Sequence, residues 1–326
     1  MESGRTQDHA FCFSPHSILR RSLMENLIRQ DAATEIAIQI VLDSLDSPHS
    51  RRAYERHLRE FIAWYGSSDQ TALNKATVQR YSAELRESGL SASTINQRLS
   101  AIRKLATEAS DNGALDPQLA NGIRAVKGIR HEGTRAGNWL AKQQAQQLLN
   151  APDITMLKGL RDRAILALLL GCGLRRTEAA GLTFDRIQQR DGRWVLVDIT
   201  GKRNKVRSVP MPSWAKQAMD DYASAANVVD GIVFRPINKG GRLSGERITE
   251  QAIYNMVVEY GQALGFAKLA PHDLRRTFAK LAHKGGSGLD QIQLSLGHCS
   301  IQTTERYLGV EQDLTDAPCD HLGLRL

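Results

Sequence analysis

The 326-residue chain has few cysteines, no long apolar run and no acidic cluster, and each absence excludes a class of protein. Its four cysteines, Cys12, Cys172, Cys299 and Cys319, make no CxxC pair and no metal-ligand spacing, which disfavours a disulfide scaffold and a zinc module. Cys172 sits in apolar surroundings, where a reduced, packed thiol is expected, as in a reducing cytosol. The longest apolar run, Ala164 to Leu170, falls far short of the roughly 20 residues that cross a bilayer. The first residues are polar and charged, so no secretory signal is expected. Without grouped Asp and Glu to ligate it, a divalent metal is not expected either.

What is present is positive charge. Lys and Arg total 43 against 35 Asp and Glu, a net charge of +8 that suits a nucleic acid or another polyanion. The length allows two domains. Residues 1–44 carry no chemistry and read as an N-terminal extension, with Ala33 to Leu45 as a candidate amphipathic helix. Residues 45–128 read as a bundle of four short helices. Tyr54, Leu58, Phe61 and Trp64 form one buried stripe, Val78, Tyr81 and Leu85 a second, and Ile95, Leu99, Ile102 and Leu105 a third. Ser93 or Thr94 is the expected cap of the third helix, and Asp116-Pro117 opens the fourth. The polar faces carry Arg51, Arg52, Arg56 and Arg59 on the first helix and Arg98, Arg103 and Lys104 on the third. Such a face either neutralises phosphates or is solvated beside partners such as Glu55 and Glu60.

Residues 129–138 are glycine-rich, basic and aperiodic, a linker. Residues 139–310 read as a second domain around an apolar helix at Leu160–Leu170, and residues 311–326 as a tail. After that helix, Gly171-Cys-Gly-Leu-Arg-Arg-Thr-Glu178 makes a turn with Arg175 opening a new helix. A helix start offers spare N–H donors to an anion, and Glu178, three residues on, shares a face with Arg175. The β-branched runs 194–200 and 206–211 form a hairpin with Lys202 at its basic tip. Pro271 begins a helix that puts His272 and Arg275 on one face, or leaves His272 paired with Asp273. Finally His298 lies in a glycine turn and Tyr307 on a short helix capped by Ser300, nine positions later. On one unbroken helix the two would face apart; with His298 in the turn, both rings can reach one point.

The set Arg175, Lys202, His272-x-x-Arg275, Leu296-Gly-His298 and Tyr307 resembles, in order and spacing, that of the tyrosine site-specific recombinases of the phage integrase family. The flanking Gly-Lys-x-x-Lys-x-Arg, Pro-His-Asp-Leu-Arg-x-Thr-Phe-Ala and Leu-Gly-His-x-x-x-x-Thr-Thr-x-x-Tyr agree over residues 47–310. Arg203 stands in place of a usual glycine, Arg176 of an aliphatic residue and Arg276 of a histidine. The resemblance implies a mainly α fold with a small β-sheet: a SAM-like helical core-binding domain, then an α/β catalytic domain. It implies DNA strand exchange through a 3′-phosphotyrosyl link to Tyr307, with Arg175 and Arg275 on the phosphate, Lys202 as acid, His272 as base and His298 as donor. Glu178 would support them, and neither cofactor nor metal would be needed. Double-stranded DNA, a homo-tetramer on it and accessory DNA-bending or regulatory proteins are the implied partners, in the cytoplasm at the nucleoid. The alternatives are a type IB topoisomerase-like nicking and rejoining enzyme, a catalytically silent DNA-binding regulator, and, more distantly, a metal-dependent phosphoesterase on His272, Asp273 and His298.

Overall fold

A computed structural model describes residues 31–68, 72–130, 138–201, 205–298 and 300–308, without the side chains of residues 31–33, 306 and 307. The described residues fall into two compact units, one up to residue 134 and one from residue 135.

The first unit is helical. Its helices are α1 (Asp31–Asp43), α2 (Pro48–Ser67), α3 (Lys75–Glu87), α4 (Ala92–Asp111) and α5 (Pro117–Arg124). Ser47 caps α2 and Pro48 fills its first turn, where a missing N–H costs nothing. The expected stripes are buried: Leu58 and Phe61 from α2, Val78 and Tyr81 from α3, and Ile95, Leu99, Ile102 and Leu105 from α4. Phe61 meets Tyr81 edge-on at 5.1 Å, and the indole of Trp64, 4.8 Å from the Tyr81 ring, donates to Glu84 at 2.6 Å. Asp116 caps α5, accepting from the Gln118 and Leu119 N–H groups. Two expectations change. The cap of α4 is Ser91, which has extended backbone and accepts from the Thr94 N–H at 3.2 Å, so Ser93 and Thr94 lie inside the helix. Helix α1 is part of the bundle, because Ile38 and Val41 are fully buried in its core. A bundle beginning at residue 45 leaves those two side chains out.

The second unit contains α6 (Lys142–Asn150), α7 (Leu157–Gly171), α8 (Arg176–Ala180), strands β1 (Ile187–Arg190), β2 (Arg193–Thr200) and β3 (Val206–Pro210), then α9 (Ser213–Ala226), α10 (Glu250–Ala263), α11 (Pro271–Lys284), α12 (Leu289–Leu296) and α13 (Ile301–Leu308). Helix α7 is buried on nearly every side and packs on α9 and α11, as its continuous apolar run requires. The sheet is antiparallel in the order β1-β2-β3. Asp191 and Gly192, both at positive φ, make the two-residue turn that joins β1 to β2. One extra residue on β2 between Leu196 and Ile199 makes a bulge opposite β3, with Asp198 at φ 54°. The architecture is the expected one, mainly α with a small sheet.

Candidate active site

The site is organised by the carboxyl end of α12. A helix leaves its last four carbonyls without partners inside the helix, and its dipole makes that end negative. Gly297, at φ +62°, turns the chain so that the Gln293 carbonyl accepts from the His298 N–H and the Leu294 carbonyl from the Gly297 N–H. The last two carbonyls receive guanidiniums. Ser295 accepts from Arg207 Nε at 2.8 Å, and Leu296 accepts from both Arg275 and, at 3.5 Å, Arg175. Three cations from β3, α11 and the start of α8 thus meet at one helix end.

Arg175 reaches this point from the N-cap of α8, after a turn through Gly173. Gly173 has φ +60°, and a Cβ there would stand 2.6 Å from the Phe278 ring, so both backbone and space require glycine. The Gly173 carbonyl accepts from Arg275 Nη1 at 2.5 Å. Arg275 is buried on α11, whose first turn also places His272 on the same face, three residues before it. Asp273 caps this helix by accepting from the Ala270 N–H at 3.0 Å.

Glu178 binds both neighbouring arginines. Its side chain is 3% exposed and accepts from the Arg175 N–H at 2.8 Å, Arg175 Nη1 at 2.7 Å, and Arg207 Nη1 and Nη2 at 2.9 and 2.8 Å. The N–H that the sequence offered to an anion at this helix start is therefore taken by the protein's own carboxylate. Burial pushes the Glu178 carboxyl up, and Arg207 with Arg175 more than offsets that, holding it below the ordinary carboxylate value.

A cleft of about 270 Å³ opens beside these groups, lined by Arg175, Arg176, Thr177, Tyr254, Pro271, His272 and Arg275. The protein around the His272 ring strips part of its water, and Arg276, Arg275 and Arg175 add repulsion, so its pKa lies below the ordinary histidine value. His298 is pushed down to about 4 by burial and by Arg275, Arg175, His272 and Arg207. Its Nδ1 lies 3.0 Å from the hydroxyl of Thr304, which is fully buried on α13. Ser300 supports the start of that helix, accepting from the Thr303 N–H at 3.4 Å. The backbone of Tyr307 lies on α13, three residues beyond Thr304. The Tyr307 side chain and the whole of Lys202 lie outside the described residues.

Residues 138–313 match the model of the phage integrase family, and residues 41–113 match the phage integrase N-terminal SAM-like domain. The first of these covers more than half of the chain. The chain belongs to the phage integrase family. Among its relatives, tyrosine recombinase XerC of Xylella fastidiosa strain M23 is 33% identical over 265 residues, 80% of this chain and 86% of that protein. A tyrosine recombinase of Synechococcus elongatus is 30% identical over 302 residues, 87% of this chain and 92% of its own. The fold is that of XerH site-specific recombinase bound to palindromic difH substrate, with a TM-score of 0.67 at 16% identity over 90% of this chain and 94% of that one. A lambda integrase dimer bound to a COC′ core site gives 0.66 at 14% identity, over 93% of this chain and 84% of that one.

In this phage integrase family member the basic faces of the first unit differ in their commitments. Arg51, Arg52, Arg56 and Arg59 are exposed on α2. Arg51 donates to the Leu45 carbonyl at 2.6 Å, Arg56 lies 4.0 Å from Glu60, and Arg59 is forked between Glu35 and Glu55. The α4 residues are half-buried and serve the bundle itself. Arg98 binds Glu60 at 2.8 Å and the Tyr81 hydroxyl at 3.2 Å, Arg103 donates to the Val126 carbonyl, and Lys104 pairs with Glu108 at 2.6 Å. The α4 cations are thus more enclosed than those of α2 and have protein partners on α2, α3, α4 and the segment after α5.

Arg207 and Thr304 escaped the sequence reading as site residues. Both stand in motifs already noticed, Gly-Lys-x-x-Lys-x-Arg and the Thr-Thr after Leu-Gly-His, yet nothing in either motif said which carbonyl or ring they face. Among the described residues no three His, Cys, Asp or Glu side chains come together as a metal site, and no helix is long and apolar enough to cross a membrane.

Proposed function

We propose that this family member is a site-specific DNA recombinase in which the Tyr307 hydroxyl attacks a DNA phosphorus, forms a 3′-phosphotyrosyl link and releases a 5′-hydroxyl. A 5′-hydroxyl from the partner duplex then attacks that link, displaces the tyrosine and completes the exchange. One phosphodiester is traded for another, so no high-energy cofactor is consumed. Covalent catalysis divides one difficult exchange into two easier ones.

The observation that carries this reading is the meeting of Arg175 and Arg275 at the Leu296 carbonyl, next to His298 and one turn before the helix of Tyr307. Two fixed guanidiniums stabilise the charge that gathers on the non-bridging oxygens as phosphorus becomes pentacoordinate, and losing one such preorganised donor costs about 3–4 kcal/mol. Because Arg275 is buried and held by two carbonyls, its guanidinium charge is fixed in place before the substrate arrives. A tyrosine hydroxyl with a pKa of about 10 needs help at neutral pH, and the same cations favour its phenolate. His272, neutral at pH 7, takes the proton. Lys202 gives a proton to the leaving 5′-oxygen, which Arg with its far higher pKa does poorly. His298 donates to the phosphate. The relatives matched are recombinases and integrases, so the topoisomerase-like and silent-regulator readings are not favoured.

Double-stranded DNA is the partner, with the exposed arginines of α2 as candidate phosphate contacts. Exchange between two duplexes uses four strand breaks, so we assign a tetramer to the synaptic complex. The test is a nicked duplex bearing a site selected by the protein from a random pool. Wild type forms an SDS-resistant adduct; Tyr307→Phe binds the same DNA without one, and a Tyr307→Phe protein that still cleaves removes Tyr307 as nucleophile. Lys202→Ala is restored by a 5′-bridging phosphorothiolate, whose leaving group needs no proton; no rescue removes the acid role.

A further inference from the structure

We infer that Arg207 is a positioning residue for strand cleavage: by holding Glu178 and the end of α12 together, it fixes the direction in which the Arg175 guanidinium meets the phosphate. The inference rests on the reading above, in which Arg175 contacts the scissile phosphate.

Arg207 is too enclosed to contact DNA itself, with 9% of its side chain exposed. All three of its nitrogens have protein partners. Nη1 and Nη2 fork onto the two oxygens of Glu178 at 2.9 and 2.8 Å, and Nε donates to the Ser295 carbonyl at 2.8 Å. A two-point fork defines the plane of a carboxylate in a way one contact does not. With Glu178 so held, its Oε1 has one remaining direction for Arg175 Nη1, at 2.7 Å, while Oε2 accepts from the Arg175 N–H. Arg175 is then set by Glu178 on one side and the Leu296 carbonyl on the other, leaving its outer N–H groups to the cleft.

Arg207 also links the elements that bear the other reacting groups. It lies on β3, five residues after Lys202, and it grips the last turn of α12, from which His298 follows. Its stem packs so closely on the Gly297 turn that a Cβ at Gly297 would lie 2.9 Å from the Arg207 Cδ. One side chain therefore sets α8, the β2–β3 hairpin and the α12 turn against each other. Misplacing a reacting group by about 1 Å costs about a hundredfold in rate.

The experiment compares Arg207→Met, Arg207→Lys and Arg175→Ala in the full-length protein on the nicked duplex, as single-turnover rates of adduct formation. The expected result is DNA affinity within about twofold of wild type, a loss of about a hundredfold for Arg207→Met, and about tenfold for Arg207→Lys, which keeps the charge and loses the fork. A second duplex carries a methylphosphonate at the scissile position, which removes the charge that Arg175 must meet. If Arg207 acts through Arg175, the neutral substrate shrinks the defects of Arg175→Ala and of both Arg207 variants together. Wild-type rates for a folded Arg207→Met, or for Arg207→Lys where the methionine variant does not fold, overturn the inference. Relief of Arg175→Ala without relief of the Arg207 variants overturns it too, because Arg207 is then only structural. An Arg175→Ala defect equal on both substrates instead overturns the phosphate role of Arg175, a distinct failure.

Discussion

Replacing Glu178 by Gln tests the energetics of the site in isolation from DNA. The carboxylate is 3% exposed and takes four hydrogen bonds, three of them from guanidiniums. Gln keeps the shape but removes the charge, and it turns an N–H₂ donor toward a donor fork. Arg207, 9% exposed, is then left as a buried cation without a counter-charge. Breaking one partner of a buried pair costs about 3–5 kcal/mol, a large part of the roughly 5–15 kcal/mol that stabilises a domain. Urea unfolding followed by tryptophan fluorescence measures it, in a Trp64→Phe background that leaves Trp139, Trp194 and Trp214 of the second unit as reporters. The midpoint should fall by more than roughly 1 M. Adding Arg207→Met to Glu178→Gln should cost less than the sum of the two single changes, because the orphaned cation is gone. The carboxyl is held below its ordinary value in the folded protein, so the unfolded chain binds more protons as pH falls. Its contribution is present above about pH 4.5, is lost as pH drops through the folded pKa, and should vanish from the acid limb in the Gln variant. A loss under about 0.5 kcal/mol, or strict additivity of the two changes, refutes the reasoning.

Three further outcomes are expected. His298 should titrate near 4 in the DNA-free protein by NMR, and bound DNA should move that inflection upward as phosphate offsets Arg175 and Arg275; an inflection near 6.5 without DNA contradicts the site's field. Gly297→Ala should cost more than Gly286→Ala in thermal unfolding, because both have positive φ, worth about 1–2 kcal/mol, but only Gly297 also faces Arg207 at 2.9 Å; equal losses argue against that close packing. Arg52→Gln and Arg56→Gln should each lower the salt slope of DNA binding by about 0.9, whereas Arg103→Gln should mainly destabilise the first unit; a change in slope at Arg103 alone reverses the assignment of faces.

The parts of the fold that local chemistry dictates were legible in the sequence. The stripes of α2, α3 and α4, the Asp116-Pro117 start and the apolar α7 all follow from spacing and capping. Strand β1 was not seen, although Asp191-Gly192 is a strong hairpin turn, because Ile187-Gln-Gln-Arg190 has one apolar residue and reads as a loop. Helix α1 was seen as a candidate, but its membership of the core depends on partners far along the chain. The same holds for the site. Residue type and order singled out Arg175, His272, Arg275 and His298, and the fold brings these four into one neighbourhood. Arg207 stood only as the last residue of a motif, since sequence does not reveal that a helix end distant in the chain presents the Ser295 carbonyl to it. Arg98 and Arg103 were read as either phosphate contacts or charges with protein partners, and spacing alone does not show that Glu60 and the Val126 carbonyl lie within their reach.

The central claim is tested most directly by trapping the adduct on a nicked duplex labelled at the scissile phosphate, digesting the protein and mapping the peptide that keeps the label. The account expects one labelled peptide, with the DNA 3′-phosphate esterified to Tyr307. A label on any other side chain, or none under conditions where strands are exchanged, contradicts it.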